Sequence, residues 1–480
     1  MKLQTKGYIT VFLSLSLLII ASLVLALYQG ARISAVRMKT ECVADIAMNS
    51  VLGEYSRELF DQYGLLMVDT SYGTGNHTIL NAQEHLKNYA QKNFERSVPG
   101  GLLNAQTMTA MYCKDAKITD YSFATDNNAG VFKRQILAYM AAEPVGSLMT
   151  DVLDHTSELE EHGFDTTDVE AQAEENQKEL DLVEMPVIND ENGVPRALSM
   201  GNPADEVNAQ KSIGILNLAI RGRNKISTAL INQDDYVSHR AKNKGTGLDD
   251  TEEISGGEKL LLDQYYFEKC SRFDCEKEKS HLKYQLEYLI FGEASDYKNL
   301  EKMAQTLLFW REASNLAYLL SCPKKMEEAE LLAAALSIIT FMPELKEPIK
   351  YSILFAWSFA ESVSDINILF GGGRVPLIKT DSTWKLGLMD IFNFREHLNG
   401  GDCGEGLYYK DYLRMKLLMT PSEKKTERMM DVIEMDVRRT PGNSLFMLDY
   451  CLDVFRAEIT VGTRYGYEVK IDRTYGYERY

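Results

Sequence analysis

From Tyr8 to Tyr28 the chain runs 21 residues without a charge. As a helix this segment spans about 31 Å, which matches a bilayer hydrocarbon core of about 30 Å. A secretory signal has a shorter apolar region, about 7–15 residues, ahead of a small-residue cleavage site. Val24-Leu25-Ala26 could serve as such a site, and a secreted protein cut after Ala26 is the reading it would give. The run continues past Ala26 with no proline or turn, and Cys42 lies far beyond any lipid-anchoring position. The expectation is a transmembrane helix over residues 8–28 behind a cytoplasmic, leader-like tail at 1–7. Helix contacts in lipid rely on small and hydroxylated side chains. Thr10, Ser14, Ala21, Ser22 and Ala26 are the residues expected to pack there, with the bilayer as first partner.

After the run, Ile33, Val36, Val43, Ala47, Val51, Tyr55, Leu59 and Tyr63 recur at three- and four-residue steps. Charged residues fill most of the other faces, the pattern of an amphipathic helix. The spacing predicts a stalk helix over 29–63, continuous with the membrane segment and ended by Gly64. An unbroken helix from 8 to 63 would be about 84 Å long.

Charge bounds the partners. Residues 1–40 carry five basic residues and no acid, leaving 47 basic against 70 acidic residues for the body, a net −23. Such a body repels nucleic acid and anionic lipid. Lys2 and Lys6 on one side of the run face Arg32, Arg37 and Lys39 on the other, so the positive-inside rule is nearly tied. The short tail and the acidic body favour a cytoplasmic N-terminus with the body outside.

Lys6-Gly7-Tyr8, followed at once by the apolar helix, resembles the processing site and shaft of type IV pilin-like proteins, especially the TadE/TadG group of tight-adherence pilus loci. GYITVFLSLSLLII, ARISA and SVLGEYSRELFDQYGLL are similar to an uncharacterised family of membrane-anchored proteins of Gram-positive anaerobes. The likeness extends to KYQLEYLIFGEASDYKNL (283–300), WREASNLAYLL (310–320), the Trp357–Glu361 helix and GGGRVPLIKTDSTW (371–384). The resemblance implies other pilin-like or secretion-apparatus proteins as partners, and prepilin-type processing at Lys6, Gly7 and Tyr8. With cleavage after Gly7, the fifth mature residue is Phe12, where pilins carry Glu. That departure points to a minor pseudopilin or an anchored accessory protein rather than a major subunit.

The fold class expected is α+β, mainly helical. Residues 64–150 read as a mixed α/β region, with short strand character at 65–69, a helix near 80–96 and strand near 115–123. Residues 151–260 read as an acidic insertion and linker, since 151–191 hold 15 acidic residues and one Lys. Residues 261–440 read as a helix-rich body, in which Leu331–Met342 and Tyr351–Ala360 are too short to span a bilayer and read as buried core helices. Residues 441–480 read as a C-terminal antiparallel β-region: Phe455, Ala457, Ile459, Val461 and then Tyr467, Val469, Ile471 keep a two-residue rhythm. YGYE at 465–468 and 475–478 suggests a repeated strand or turn.

Candidate chemistry gives way to plainer readings. Asp69-Thr70-Ser71-Tyr72-Gly73 has Gly where a hydroxyl-lined metal-adhesion motif needs a second Ser, so no Mg²⁺ is expected there. Gly371-Gly372-Gly373-Arg374 lacks phosphate-loop spacing and runs into Val375-Pro376, so a helix-ending turn is expected. Cys270 and Cys275 form the one close cysteine pair among seven dispersed cysteines, and His281 does not complete a zinc site. His397, Asp402, Cys403 and Glu405 form the most catalytic-looking cluster, on which an anchored hydrolase would depend. A polar, glycine-rich loop explains it as well, so no enzyme, cofactor or metal is expected and no small-molecule substrate is evident. The reading is a membrane-anchored, extracytoplasmic component of a Tad-like pilus or secretion apparatus, with a tethered envelope adhesin as the alternative.

Overall fold

The computed structural model describes residues 6–95, 109–141, 148–189, 195–197, 207, 209–211, 213–220, 226–248, 254–278, 280–398 and 401–477. In chain order come α1 (Lys6–Leu52), α2 (Arg57–Tyr63), β1 (Val68–Asp69), α3 (Ile79–Glu95), β2 (Met111–Phe123) and α4 (Asp126–Ala141). They are followed by α5 (Leu148–Glu161), α6 (Val169–Asp181), β3 (Val187–Asn189), β4 (Pro195–Ala197) and α7 (Ile215–Ala219). Next are α8 (Gly256–Lys269), α9 (Gln285–Phe291), α10 (Asp296–Ser321), α11 (Pro323–Ile339) and α12 (Lys346–Phe370). The chain closes with α13 (Phe394–His397), α14 (Tyr409–Met419), α15 (Ser422–Arg438), β5 (Cys451–Thr463) and β6 (Glu468–Gly476). The fold is α+β and mainly helical, as the patterning predicts.

The chain divides into two compact units. One is Met1–Ala142 with Arg240–Ile254 and Val437–Tyr480; the other is Glu143–His239 with Ser255–Asp436. The stalk, the mixed region and the C-terminal strands, expected as separate regions, therefore build one unit. Their apolar faces explain why, since a two-stranded ribbon or a lone helix cannot bury its own face.

In the first unit β5 is the central strand. It pairs antiparallel with β2 on one side (Met111↔Thr463 to Phe123↔Leu452) and with β6 on the other (Val454↔Gly476 to Gly462↔Glu468). The strand expected at 65–69 shrinks to β1, which meets β5 only at Val68↔Leu452 and Asp69↔Cys451. Phe455, Ala457, Ile459 and Val461 of β5 share one core with Val36, Val43, Ala47, Met48 and Val51 of α1. Each such side chain contributes about 1.5–3 kcal/mol when buried. Along β2, Gln83 and Gln91 of α3 accept hydrogen bonds from the main-chain N–H groups of Ile118 and Cys113. The helix thereby covers donors that an edge strand would otherwise leave open.

The predicted helix to residue 63 is corrected: α1 ends at Leu52, and α2 starts afresh at Arg57. Ser56 caps α2 by accepting from Leu59 N–H, and its own N–H donates to Met67 O at 2.9 Å. A Ser at the N-cap offers the backbone this alternative. Between the helices, Glu54 is held by His85 Nδ1 at 2.9 Å and by the Tyr89 hydroxyl at 2.6 Å. The stalk is thus no free shaft, because its apolar stripe lies on the sheet.

In the second unit, the acidic stretch from 151 contains two helices, α5 and α6, while residues 190–191 lie outside the described residues. Helices α10 and α12 pack along one another, and Tyr351–Ala360 within α12 is buried for most of its length, as expected. Leu331–Met342 is corrected. The inward stripe of α11 is small, made of Ala329, Ala333 and Ser337, whereas Leu331, Ile338 and Ile339 point out to solvent.

Glu287 on α9 is fully buried, and burial pushes its carboxyl up to about 7 although Tyr409 and Phe273 N–H donate to it. A folded-state value above the unfolded one means that ionisation opposes folding. This stability is complete below about pH 4.5, falls as pH rises towards 7, and is then level, a loss on the order of 3 kcal/mol. Glu287→Gln is accordingly expected to flatten the pH dependence. Urea titrations at pH 5 and pH 8 should show a smaller difference in the variant than in the parent.

Candidate functional site

The first candidate is the free half of α1. From Tyr8 to Leu27 nearly every side chain is exposed, Leu18 at 67%, and none of this apolar stretch joins the core below it. Lys6 and Gly7 open the helix. Thr10, Ser14 and Ala21 lie on one stripe, and Ser22 and Ala26 on the next, by the 3.6-residue period. Ser14 and Ser22 donate back to the carbonyls of Val11 and Ile19 at 2.9 and 2.8 Å. Their hydroxyl protons are satisfied within the helix, which makes them compatible with lipid.

Where this apolar half meets the sheet, a belt of aromatic and basic side chains collects. The Arg32 guanidinium sits 3.2 Å over the ring of Tyr465. Arg37 Nε donates to the Tyr467 hydroxyl at 3.1 Å, and Lys39 lies 5.8 Å from the centroid of Phe94. Burial lowers the Lys39 pKa. The first YGYE copy is the β5–β6 hairpin turn that supplies both tyrosines, and the second ends β6, where the Tyr477 hydroxyl bonds Leu52 O. Tyrosine paired with Arg at the foot of an apolar helix is the composition of a lipid–water boundary. The periodicity of 33–63 did not reveal this belt; the repeated Tyr was its one signal.

The second candidate is a buried charge cluster in the second unit. Glu361 and Asp365 stand one turn apart on α12, and Arg311 on α10 reaches Asp365 through Nε at 2.9 Å. Lys379 Nζ lies 2.7 Å from Glu361 and 2.6 Å from Asp365. All four side chains are inaccessible to solvent. Asn315 bonds Asp365 and Ser362. Arg311 also holds the carbonyls of Pro376 and Leu377, while Glu361 accepts the N–H groups of Lys385 and Leu386. The segments WREASN, Trp357–Glu361 and GGGRVPLIKTDSTW therefore converge on one clamp that fastens residues 374–386 to two helices. Burial raises the Glu361 pKa. At Asp365 burial acts the same way, but Lys379 and Arg311 outweigh it and the pKa falls. A closed, charge-balanced cluster of this kind positions a segment and has no open face for a substrate.

The cysteine cluster does not assemble. His397 Nε2 faces Asp390 Oδ1 at 3.7 Å, Asp402 accepts from Nε and Nη2 of Arg374, and Cys403 Sγ lies 3.6 Å from Thr383 O. Burial pushes the Cys403 thiol up, opposite to what a nucleophile needs. The loop from 401 instead pairs with the Gly371–Arg374 turn: Val375 and Leu407 exchange backbone bonds at 3.0 and 2.9 Å. Gly406 has φ +103°, and a Cβ there would lie 2.2 Å from Pro376 N. Gly406→Ala is expected to cost at least about 2 kcal/mol, read as a lowered melting temperature.

Other sequence candidates resolve locally. Asp69 accepts from Ser71 N–H and Oγ at 2.9 and 2.8 Å, folding its carboxylate back on the turn. Cys270 is buried with Sγ 3.5 Å from Met429 Sδ, Cys275 is exposed, and all seven cysteines are free. Among the described residues no three His, Cys, Asp or Glu side chains are placed to hold a metal ion. A cleft of about 480 Å³ is lined by Leu153, Thr156, Glu160, Lys259, Asp263 and Lys425. In it, Lys425 Nζ meets both Asp263 oxygens at 2.6 and 2.7 Å, so that pair is closed on itself.

A family model described as a family of unknown function, DUF5702, matches residues 196–463, more than half of the chain. The matched stretch holds the whole buried cluster and ends with β5, and α1 lies outside it. No curated protein and no solved structure matches.

Proposed function

We propose a role from one premise: the chain belongs to the DUF5702 family, whose function is unknown. The chain is a single-pass membrane protein, rooted by residues 8–28 with its N-terminus in the cytoplasm and its body outside. There it serves as a non-enzymatic minor pseudopilin or accessory component of a Tad-like pilus or secretion apparatus. The observation that carries this reading is α1, one helix whose first half is exposed and apolar and whose second half is the core of an antiparallel sheet. That helix-then-sheet plan is the pilin plan, an argument from analogy. Arg32 and Arg37, engaged with Tyr465 and Tyr467, act as interfacial anchors in this reading.

The test is recovery of partners with the membrane-embedded chain, together with sequencing of its N-terminus. Pilin-like or secretion proteins in the pull-down, with a mature Tyr8, are expected. Phe12 in place of Glu favours a second reading, a tethered envelope protein that is never processed. An intact Met1 with no apparatus component recovered selects it.

A further inference from the structure

Beside the buried cluster, the clamped segment builds an aromatic corner. Trp357 of α12 and Trp384 meet edge to face, with ring centroids 5.6 Å apart and planes at 89°. Both indole Nε1–H groups donate to one acceptor, Leu386 O, at 3.0 and 2.7 Å. Leu386 N–H in turn donates to Glu361 at 2.9 Å, so the buried charges help to fix the angle between the two rings. Trp357 has no exposed surface and Trp384 only 9%. Tyr318, near the end of α10, packs on Trp384 with centroids 5.1 Å apart. Its hydroxyl donates to Asp381, which is exposed, at 2.5 Å.

A cation already sits in this corner. Lys325, in the first turn of α11, places Nζ 4.4 Å from the Trp357 ring centroid and 5.5 Å from that of Trp384. Among the described residues this ammonium has no hydrogen bond and no ion pair. Indole faces attract positive charge, and tryptophan does so best among aromatic side chains. They are poor acceptors, however, for the three N–H donors that a lysine ammonium carries. A quaternary ammonium has no N–H to satisfy. Its methyl groups make apolar contact with both rings while its charge stays over their faces. The corner therefore suits that group better than it suits the lysine that fills it. Asp381 adds an exposed negative charge beside the aromatic group, the sign that a cationic ligand needs.

We propose that the Trp357–Trp384 corner is a binding site for a quaternary ammonium group, with Lys325 as its displaceable plug. Lys325 is half-buried, so its stem leads from the rings to solvent, and rotation about its side-chain bonds vacates the site. The proposal does not rest on the pilus reading. It is tested on the full chain in dodecyl maltoside micelles, with Trp310→Phe so that Trp357 and Trp384 are the tryptophans that report. Tetramethylammonium chloride should change their fluorescence saturably, and potassium chloride at equal ionic strength should not. Calorimetric titration of the chain with all three tryptophans should return the same dissociation constant, which guards against a folding defect in Trp310→Phe. Lys325→Ala removes the competing cation and should tighten tetramethylammonium binding by about fivefold or more. Adding Trp384→Phe should reverse that gain, because a phenyl face holds a cation less well than an indole. Choline should bind more tightly than glycerophosphocholine, since Asp381 opposes a phosphate; the reverse order would assign the ammonium to a lipid headgroup. No saturable response in either the parent or Lys325→Ala would overturn the proposal. So would binding confined to Lys325→Ala, which would make Lys325 a fixed part of the wall, or an equal response to potassium chloride.

Discussion

Lys379→Met is expected to destabilise the second unit by about 3–5 kcal/mol, the range for removing one partner of a buried ion pair. Lys379 lies between Glu361 and Asp365, and its loss leaves two inaccessible carboxylates, Asp365 still bonded to Arg311 and Glu361 with no cation bonded to it among the described residues. The reverse change tests the cause. Asp365→Asn added to Lys379→Met returns the cluster to balance and keeps an oxygen for Arg311 Nε and Asn315. The double variant should therefore be more stable than Lys379→Met alone. Urea denaturation followed by tryptophan fluorescence reads this directly, since Trp357 and Trp384 donate to Leu386 O beside the cluster. If Lys379→Met falls within about 0.5 kcal/mol of the parent, the range of surface changes, the clamp assigned to this cluster is wrong.

Leu18→Arg with Ile19→Arg should move the protein out of the membrane fraction while leaving both units folded. Each Arg near the bilayer centre opposes insertion by about 2.5–3.5 kcal/mol. Neither residue belongs to the core, as Leu18 and Ile19 are both more than half exposed. The companion variant is Ala47→Arg, on the same helix at a site with no exposure. It should unfold the first unit and leave the apolar half intact. The pair of variants separates the two jobs that α1 performs along its length.

The reach of the sequence follows from which forces act locally. The uncharged run at 8–28 is legible because its length and composition are those a bilayer span requires. The strands of 455–471 are legible because burial on one face imposes a period of two. The end of α1 is hidden in the sequence because the apolar spacing carries on through Tyr55, Leu59 and Tyr63 onto α2, and Gly53 with Ser56 is the weaker signal. The inward face of α11 is not legible in the sequence because its run is apolar on every side, and only the partner helix decides that Ala329 and Ala333 face inward. The buried cluster had a legible trace. Glu361 and Asp365 stand one turn apart inside the apolar run of α12, where a pair of carboxylates has to find cations. Which cations they find, Arg311 and Lys379, depends on contacts 54 and 18 residues away in sequence that no local pattern carries.

The most direct test is membrane sidedness. With Cys42→Ser, Cys322→Ser and Cys403→Ser, Cys275 remains as the one thiol of the second unit that is not buried. A membrane-impermeant maleimide applied to intact cells should label it fully, with the protein retained in the membrane fraction after carbonate extraction. Labelling that appears only after lysis, or recovery of the chain in the soluble fraction, would contradict the membrane-rooted, outward-facing arrangement.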